Sequence, residues 1–169
     1  MFNQKVTPML AFRGNAEEAV NFYASLFPRT RIISRQYHQD MSLVAPKFAY
    51  MTGKLMLVEF ELDGQILTAF NDLDGHIAQG FNMSISLVKS CDTQAEIDQI
   101  WEGMLAAGGK TMACGWIVDH FGLVWQIVPS GLGDMMGSQD RAASNRAFAA
   151  MMNMIKLDKA ALEAAFKGN

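Results

Sequence analysis

The residue types that do chemistry are thinly spread in this chain, and the densest stretch of them runs from Cys114 through Gly-Trp-Ile-Val-Asp-His-Phe-Gly-Leu-Val-Trp-Gln-Ile-Val to Pro129. It holds a thiol, an imidazole, an amide and two indoles. Cys114 is a candidate nucleophile, but a thiol attacks as its thiolate, and no neighbouring base or cation in sequence lowers its pKa. A structural thiol is therefore the plainer reading. His120 is a candidate acid or base, placed at a turn tip where exposure is the ordinary outcome. His38 and His76 fall in loops and have no spacing that ties them to a partner. Gln126 offers an amide that can hold a ligand oxygen, and Trp116 an indole on which an aromatic ring can stack. Asn82, Ser84 and Ser86 recur at every second position, so they share one face of an expected strand. Such a face is either solvated or the lining of a site.

A β-hairpin must position the first group. Asp119-His120-Phe121-Gly122 suits a type I turn closed by a left-handed glycine. In that register Val118 faces Val124, Ile117 faces Trp125, Trp116 faces Gln126 and Cys114 faces Val128. Cys114, Trp116 and Gln126 then line one surface, Trp125 turns to the core, and Asp119 stabilises its own turn. The alternative, a two-residue turn, pairs Trp116 with Trp125; it leaves Gly122 unexplained, so the first is preferred.

Around the hairpin the chain reads as one pattern used twice. Lys5 to Phe12 alternates as a strand, and Pro8 puts it at an edge or open seam. Asn15 with Glu18 opens a helix that Pro28 stops, with Ala19, Phe22, Tyr23 and Leu26 on one face. Strands follow over 30–37 and over 47–62, the second interrupted at Thr52-Gly53. Asp63-Gly64 turns the chain into a strand over 66–71; its register, and so the facing of Glu59 and Glu61, stays open. Residues 72–80 are the expected linker. Phe81 to Val88 is then a strand, Asp92-Thr93 with Glu96 caps a helix burying Ile97, Ile100, Trp101 and Met104, and Gly108-Gly109 ends it. A strand from Lys110 and the hairpin complete the second unit. The expected modules are thus about 5–71 and 81–129, each β-α-β-β-β, followed by a helical extension over about 130–169. In that extension Leu132–Met136, Arg141–Ile155 and a helix capped by Asp158 are expected. Phe148, Met151, Met152 and Ile155 form an apolar stripe that packs either inside the chain or across a dimer.

Composition narrows the function classes. Of 169 residues, 50% are hydrophobic and 18% charged, which suits a soluble globular chain. A net charge of −3 without a basic stripe argues against nucleic acid. No apolar run is long enough for a membrane span and residues 1–5 read as no signal, so a cytoplasmic protein is expected. Cys91 and Cys114 are then two reduced thiols, in no zinc-like spacing.

Gly14-Asn-Ala-Glu-Glu-Ala-Val-Asn-Phe-Tyr23, Phe60-Glu-Leu-Asp-Gly-Gln65, Cys91-Asp-Thr-Gln94 and the hairpin together resemble the PhnB-like, or 3-demethylubiquinone 3-methyltransferase-like, family of the vicinal oxygen chelate (glyoxalase/bleomycin resistance) superfamily. The resemblance implies an α+β fold of paired βαβββ modules whose mixed sheet curls into a cup, usually in a homodimer. It assigns the Ser84 and Ser86 face to that cup, where Asn71, Cys114, Trp116 and Gln126 should converge. Metal-dependent members hold their ion at four cup positions, which here fall on Pro8, Ala69, Ser84 and Gln126. Only Gln126 could coordinate, so no metal site is expected and no cofactor is implied. Nor do the residues support the methyltransferase label: Gly131-Leu-Gly133 follows a hairpin strand and reads as a chain reversal, not a glycine-rich cofactor turn. The expected function is metal-free binding of an apolar or aromatic small molecule. The alternative is an enzyme in which Gln126, Ser84 and Asn71 polarise a substrate oxygen while a loop histidine moves the proton.

Overall fold

The computed structural model describes residues 5–77 and 80–169. Residues 78 and 79 of the expected linker, and residues 1–4, on which the expectation of no signal rested, lie outside these. The chain divides into compact units at Gly80 and Phe81. The first carries β1 (Met9–Phe12), α1 (Ala16–Leu26), β2 (Thr30–Tyr37), β3 (Leu55–Leu62) and β4 (Gln65–Asn71). The second carries β5 (Leu87–Cys91), α2 (Gln94–Ala106), β6 (Lys110–Thr111), β7 (Trp116–Val118) and β8 (Val124–Pro129), then α3 (Leu132–Met136), α4 (Arg141–Met152) and α5 (Lys159–Lys167). The sheets run β1-β4-β3-β2 and β5-β8-β7-β6. In both, the first strand is parallel to the fourth and the remaining neighbours are antiparallel. The doubled βαβββ order and the α+β class read from the sequence are therefore the observed ones.

In the first unit β1 forms a sheet edge, where the missing amide hydrogen of Pro8 interrupts no ladder, and the Pro8 carbonyl accepts from Thr68 N–H at 3.0 Å. The strand opens at Met9 rather than Lys5. Asp63 (φ 49°) and Gly64 (φ 93°) both take positive φ, as a two-residue mirror-image hairpin turn requires. That turn fixes the register left open above: Val58 pairs with Ala69 and Glu59 with Thr68. Arg35, paired with Val58, reaches Glu17 of α1 at 2.6 Å, so the Val58 and Ala69 face is the one α1 covers. Phe60, Leu67, Ala69, Ala19, Val20 and Tyr23 are buried in that layer. The expected strand over 47–54 is not formed. Pro46 starts a 3-10 helix, Pro46–Met51, because its fixed φ and absent N–H suit a first helical position, and β3 begins only after the turn at Gly53 (φ 74°).

In the second unit β5 opens at Leu87, not Phe81. Asn82 Oδ1 accepts from Ser84 N–H at 2.8 Å, a local turn that competes with strand pairing. Thr93 caps α2 as expected, its Oγ1 accepting from Glu96 N–H at 3.1 Å, while Glu96 Oε2 reaches back one residue past the cap and accepts from Asp92 N–H at 2.9 Å. Helix α4 stops at Met152, short of Ile155, which leaves the Met154 and Ile155 carbonyls to accept from Cys114 N–H and Gly115 N–H, each at 2.8 Å. Its buried face is Ala143, Ser144 and Ala147, while Phe148, Met152 and Ile155 stay about half exposed. The stripe is only partly covered within the chain.

Candidate ligand-binding site

The hairpin takes the preferred register: Val118 pairs with Val124, Ile117 with Trp125 and Trp116 with Gln126. Gly122 N–H bonds to the Asp119 carbonyl at 2.9 Å, and Gly122 has φ 89°, as the glycine-closed turn demands. Asp119 is buried and does more than hold its turn. Oδ1 accepts from Phe121 and Leu123 N–H, and Oδ2 accepts from the indole N–H of Trp125, all at 2.9 Å. This fixes Trp125 with Ile117 in the core and leaves Trp116 and Gln126 on the opposite face.

On that face Gln126 Nε2 donates to Ser86 Oγ at 2.8 Å. Three of the expected site residues, Ser86, Trp116 and Gln126, are thus brought together, each half-buried. The pairing uses one amide hydrogen of Gln126 and one lone pair of Ser86. It leaves the Gln126 carbonyl oxygen as an acceptor and the Ser86 hydroxyl as a donor, next to an indole face. Val88, paired with Gln126 across the parallel strands, is 61% exposed and extends the surface with an apolar side chain.

The other expected members are engaged by other partners or exposed. Asn71 lies on the α1 face: its Oδ1 accepts from Ala16 N–H at 2.8 Å and its Nδ2 donates to the Leu55 carbonyl at 3.2 Å. It caps a helix that Asn15 leaves uncapped. Ser84 is exposed in the turn made by Asn82, outside the strand that was to aim it. Cys114 does not sit opposite Val128. It has φ 60° in the turn before β7, and its Sγ lies 3.7 Å from Met152 Sδ, drawn to the end of α4. His120 is exposed at the hairpin tip, its ring 3.9 Å from that of Phe121. His76 is exposed and pairs with Asp74 at 2.9 Å.

The facing of one polar group was left open by the sequence. Glu59 is buried on the face of the first sheet opposite α1 and accepts from Ser34 Oγ at 3.2 Å. Only the register of the Asp63-Gly64 turn places it there, so a two-residue reading of that turn was the available signal. Beside Asn71, the Asp72 carboxylate accepts from Ile77 N–H at 2.6 Å and His76 N–H at 3.2 Å; the bond from Ile77 above all holds its pKa below the ordinary 3.8.

The donors at the four superfamily metal positions do not fit a divalent ion. Pro8 gives its carbonyl to Thr68, Ala69 is an apolar residue facing α1 and Ser84 sits in a turn, so the Gln126 oxygen would be a lone donor where a divalent ion needs three or more. Among the described residues there is no group of three or more His, Cys, Asp or Glu side chains able to hold a metal. Gly131 (φ 84°) leads directly into α3, and only helices follow β8. With no strand after α3 to complete a parallel β-α-β unit, this is a chain reversal rather than a glycine-rich cofactor cradle.

A family model described as 3-demethylubiquinone-9 3-methyltransferase matches residues 4–128. The chain belongs to this PhnB-like family. A solved structure described as a putative 3-demethylubiquinone-9 3-methyltransferase, PhnB protein, from Bacillus cereus is 30% identical to this PhnB-like chain, with TM-score 0.64, covering 75% of this chain and all of that one. Protein PA1353 from Pseudomonas aeruginosa is 20% identical with TM-score 0.59, over 75% of this chain and 98% of that one. The fosfomycin resistance protein FosX from Listeria monocytogenes, solved with Mn(II) and 1S,2S-dihydroxypropylphosphonic acid, is 12% identical with TM-score 0.53, over 76% of this chain and 93% of that one. The last two show the fold alone. No curated protein matches significantly. The methyltransferase in the PhnB-like family's description is a label, and the residues above supply no cofactor turn for it. Among the described residues no helix is long and apolar enough to cross a membrane.

Proposed function

We propose that this PhnB-like protein binds an apolar or aromatic small molecule, without a metal ion, against the Trp116, Gln126 and Ser86 face of its second sheet. The observation that carries this is the 2.8 Å hydrogen bond from Gln126 to Ser86 beside the half-buried indole of Trp116. An aromatic platform with one fixed acceptor and one fixed donor is the general form of a small-molecule site. The ligand ring stacks on Trp116, and a ligand hydroxyl or amide bonds to the Gln126 oxygen or the Ser86 hydroxyl. We take the protein to be cytoplasmic and a homodimer; the half-exposed Met152 and Ile155 support the second of these readings, which light scattering of the purified chain would check.

Native mass spectrometry of protein from its own host tests the proposal. A co-purifying compound that is retained by the wild type and lost by Trp116→Ala and by Gln126→Leu is expected. Because Trp101 and Trp125 are 3% and 2% exposed, ligand quenching of intrinsic fluorescence should report on Trp116 and vanish in Trp116→Phe. A compound retained equally by all variants would sink the assignment.

A further inference from the structure

The family match ends at residue 128, so the helices α3 to α5 lie beyond it. Between α3 and α4 is a cleft of about 390 Å³ lined by Met136, Arg141, Ser144, Asn145, Phe148 and Met151. Its wall is fixed, because buried Ser144 donates from Oγ to the Met136 carbonyl at 2.8 Å and ties α3 to α4. Along α4 the lining is ordered by polarity. Arg141, Asn145 and Phe148 stand at positions i, i+4 and i+7, hence on one helical face, with the cation at one end and the apolar side chains of Phe148 and Met151 at the other. At about 1.5 Å per residue, Arg141 and Phe148 are roughly 10 Å apart along the axis.

The guanidinium of Arg141 makes no hydrogen bond or ion pair with the described residues. The nearest carboxylate in sequence, Asp140, is committed to capping α4, where it accepts from Ala143 N–H at 2.9 Å. A partnerless planar cation at the head of a short apolar trough is complementary to an anion carrying a hydrocarbon tail of similar length. The volume is at the lower end of the roughly 300–1,000 Å³ typical of small-molecule sites.

We propose that this cleft is a second binding site, for a single medium-chain carboxylate. Its carboxylate pairs with Arg141 and accepts from the Asn145 amide, while the tail lies on Phe148, Met136 and Met151. The site is separate from the Trp116 face and does not depend on it.

The test is calorimetric titration of the full chain with octanoate, octylammonium and octanol, and of the variants Arg141→Gln, Phe148→Ser and Trp116→Phe. Arg141 and Phe148 are exposed, so both variants should keep the wild-type circular dichroism and melting temperature. Saturable one-to-one binding of octanoate is expected, weakened about tenfold or more by Arg141→Gln and by Phe148→Ser and unchanged in Trp116→Phe. Octylammonium should not bind, and octanol should bind more weakly than octanoate. The proposal is overturned if octanoate shows no saturable binding, if neither cleft variant weakens it, or if octylammonium binds equally well. It is likewise overturned if anionic phospholipid vesicles sediment the protein through Arg141 and Phe148 while octanoate does not bind, since the patch would then serve a membrane surface.

Discussion

Asn71, at the end of β4, caps α1 across the unit: its Oδ1 accepts from Ala16 N–H at 2.8 Å, while Asn15, the residue in the N-cap position, makes no side-chain bond. Asn71 is buried and also holds the Leu55 carbonyl. Asn71→Ala should therefore cost about 2–3 kcal/mol, combining a lost cap with buried backbone groups left unpaired. Asn15→Ala should stay within about 0.5 kcal/mol. Urea denaturation of the two variants checks the order, and equal costs would contradict it.

Gly115 is required twice over. Its φ is 79°, and a Cβ there would stand 2.7 Å from the Ile127 carbonyl oxygen and 3.0 Å from the Leu157 side chain. Gly122 has φ 89° but open space around it. Gly122→Ala should cost about 1–2 kcal/mol, the left-handed penalty alone, and Gly115→Ala about 3 kcal/mol or more. Thermal melts of the pair measure the steric part directly.

The Asp119 carboxylate gathers three donors in a buried turn. Asp119→Ala should cost about 3–4 kcal/mol, because two backbone N–H groups and an indole N–H lose their acceptor together. Trp125→Phe should cost less and leave the turn intact. The indole N–H proton of Trp125, followed by NMR, should exchange slowly in the wild type and quickly in Asp119→Ala.

Lys156 stitches the C-terminal extension to α2, pairing with Asp98 at 2.9 Å and Glu102 at 3.1 Å. The bond from Lys156 is the main reason the Asp98 pKa lies below 3.8, and the bond to Asp98 is the main reason the Lys156 pKa lies above 10.5. A depressed acid stabilises above its unfolded pKa and loses that contribution as pH falls through the folded one; a raised base does the reverse. The stability difference between wild type and Lys156→Met should therefore be flat between about pH 4 and 10, shrink as pH falls below 3.8, and shrink again above 10.5. Denaturation curves across that range would show a pH-independent difference if the pair did not act.

The fold was legible because its signals are local. Alternation and turn chemistry located β2, β4, both hairpins and the capped start of α2, and the Asp119 to Gly122 turn alone brought Trp116 beside Gln126. The failures also have local causes. Asn82 has two uses for its amide, and the turn to Ser84 prevailed over the strand its alternation suggested. Asn71 reads as a polar strand end, and only the fold reveals that a helix N-terminus is waiting for it. Cys114 followed a strand register that its own left-handed φ broke, because Cys114 and Gly115 bond to Met154 and Ile155, residues some forty positions away. No pattern within the hairpin announces that partner.

Those same two bonds redraw where the domain stops. A fragment cut at residue 128, where the family pattern ends, would remove Leu157, which is fully buried against Gly115, together with the carbonyls that hold the turn before β7. It would also strip Gln94 of its bonds to Leu157 and Lys159. For this member of the family the smallest piece that keeps the Trp116 strand in place has to reach at least Lys159. A truncated version made for crystallography or ligand screening should be designed from that residue outward.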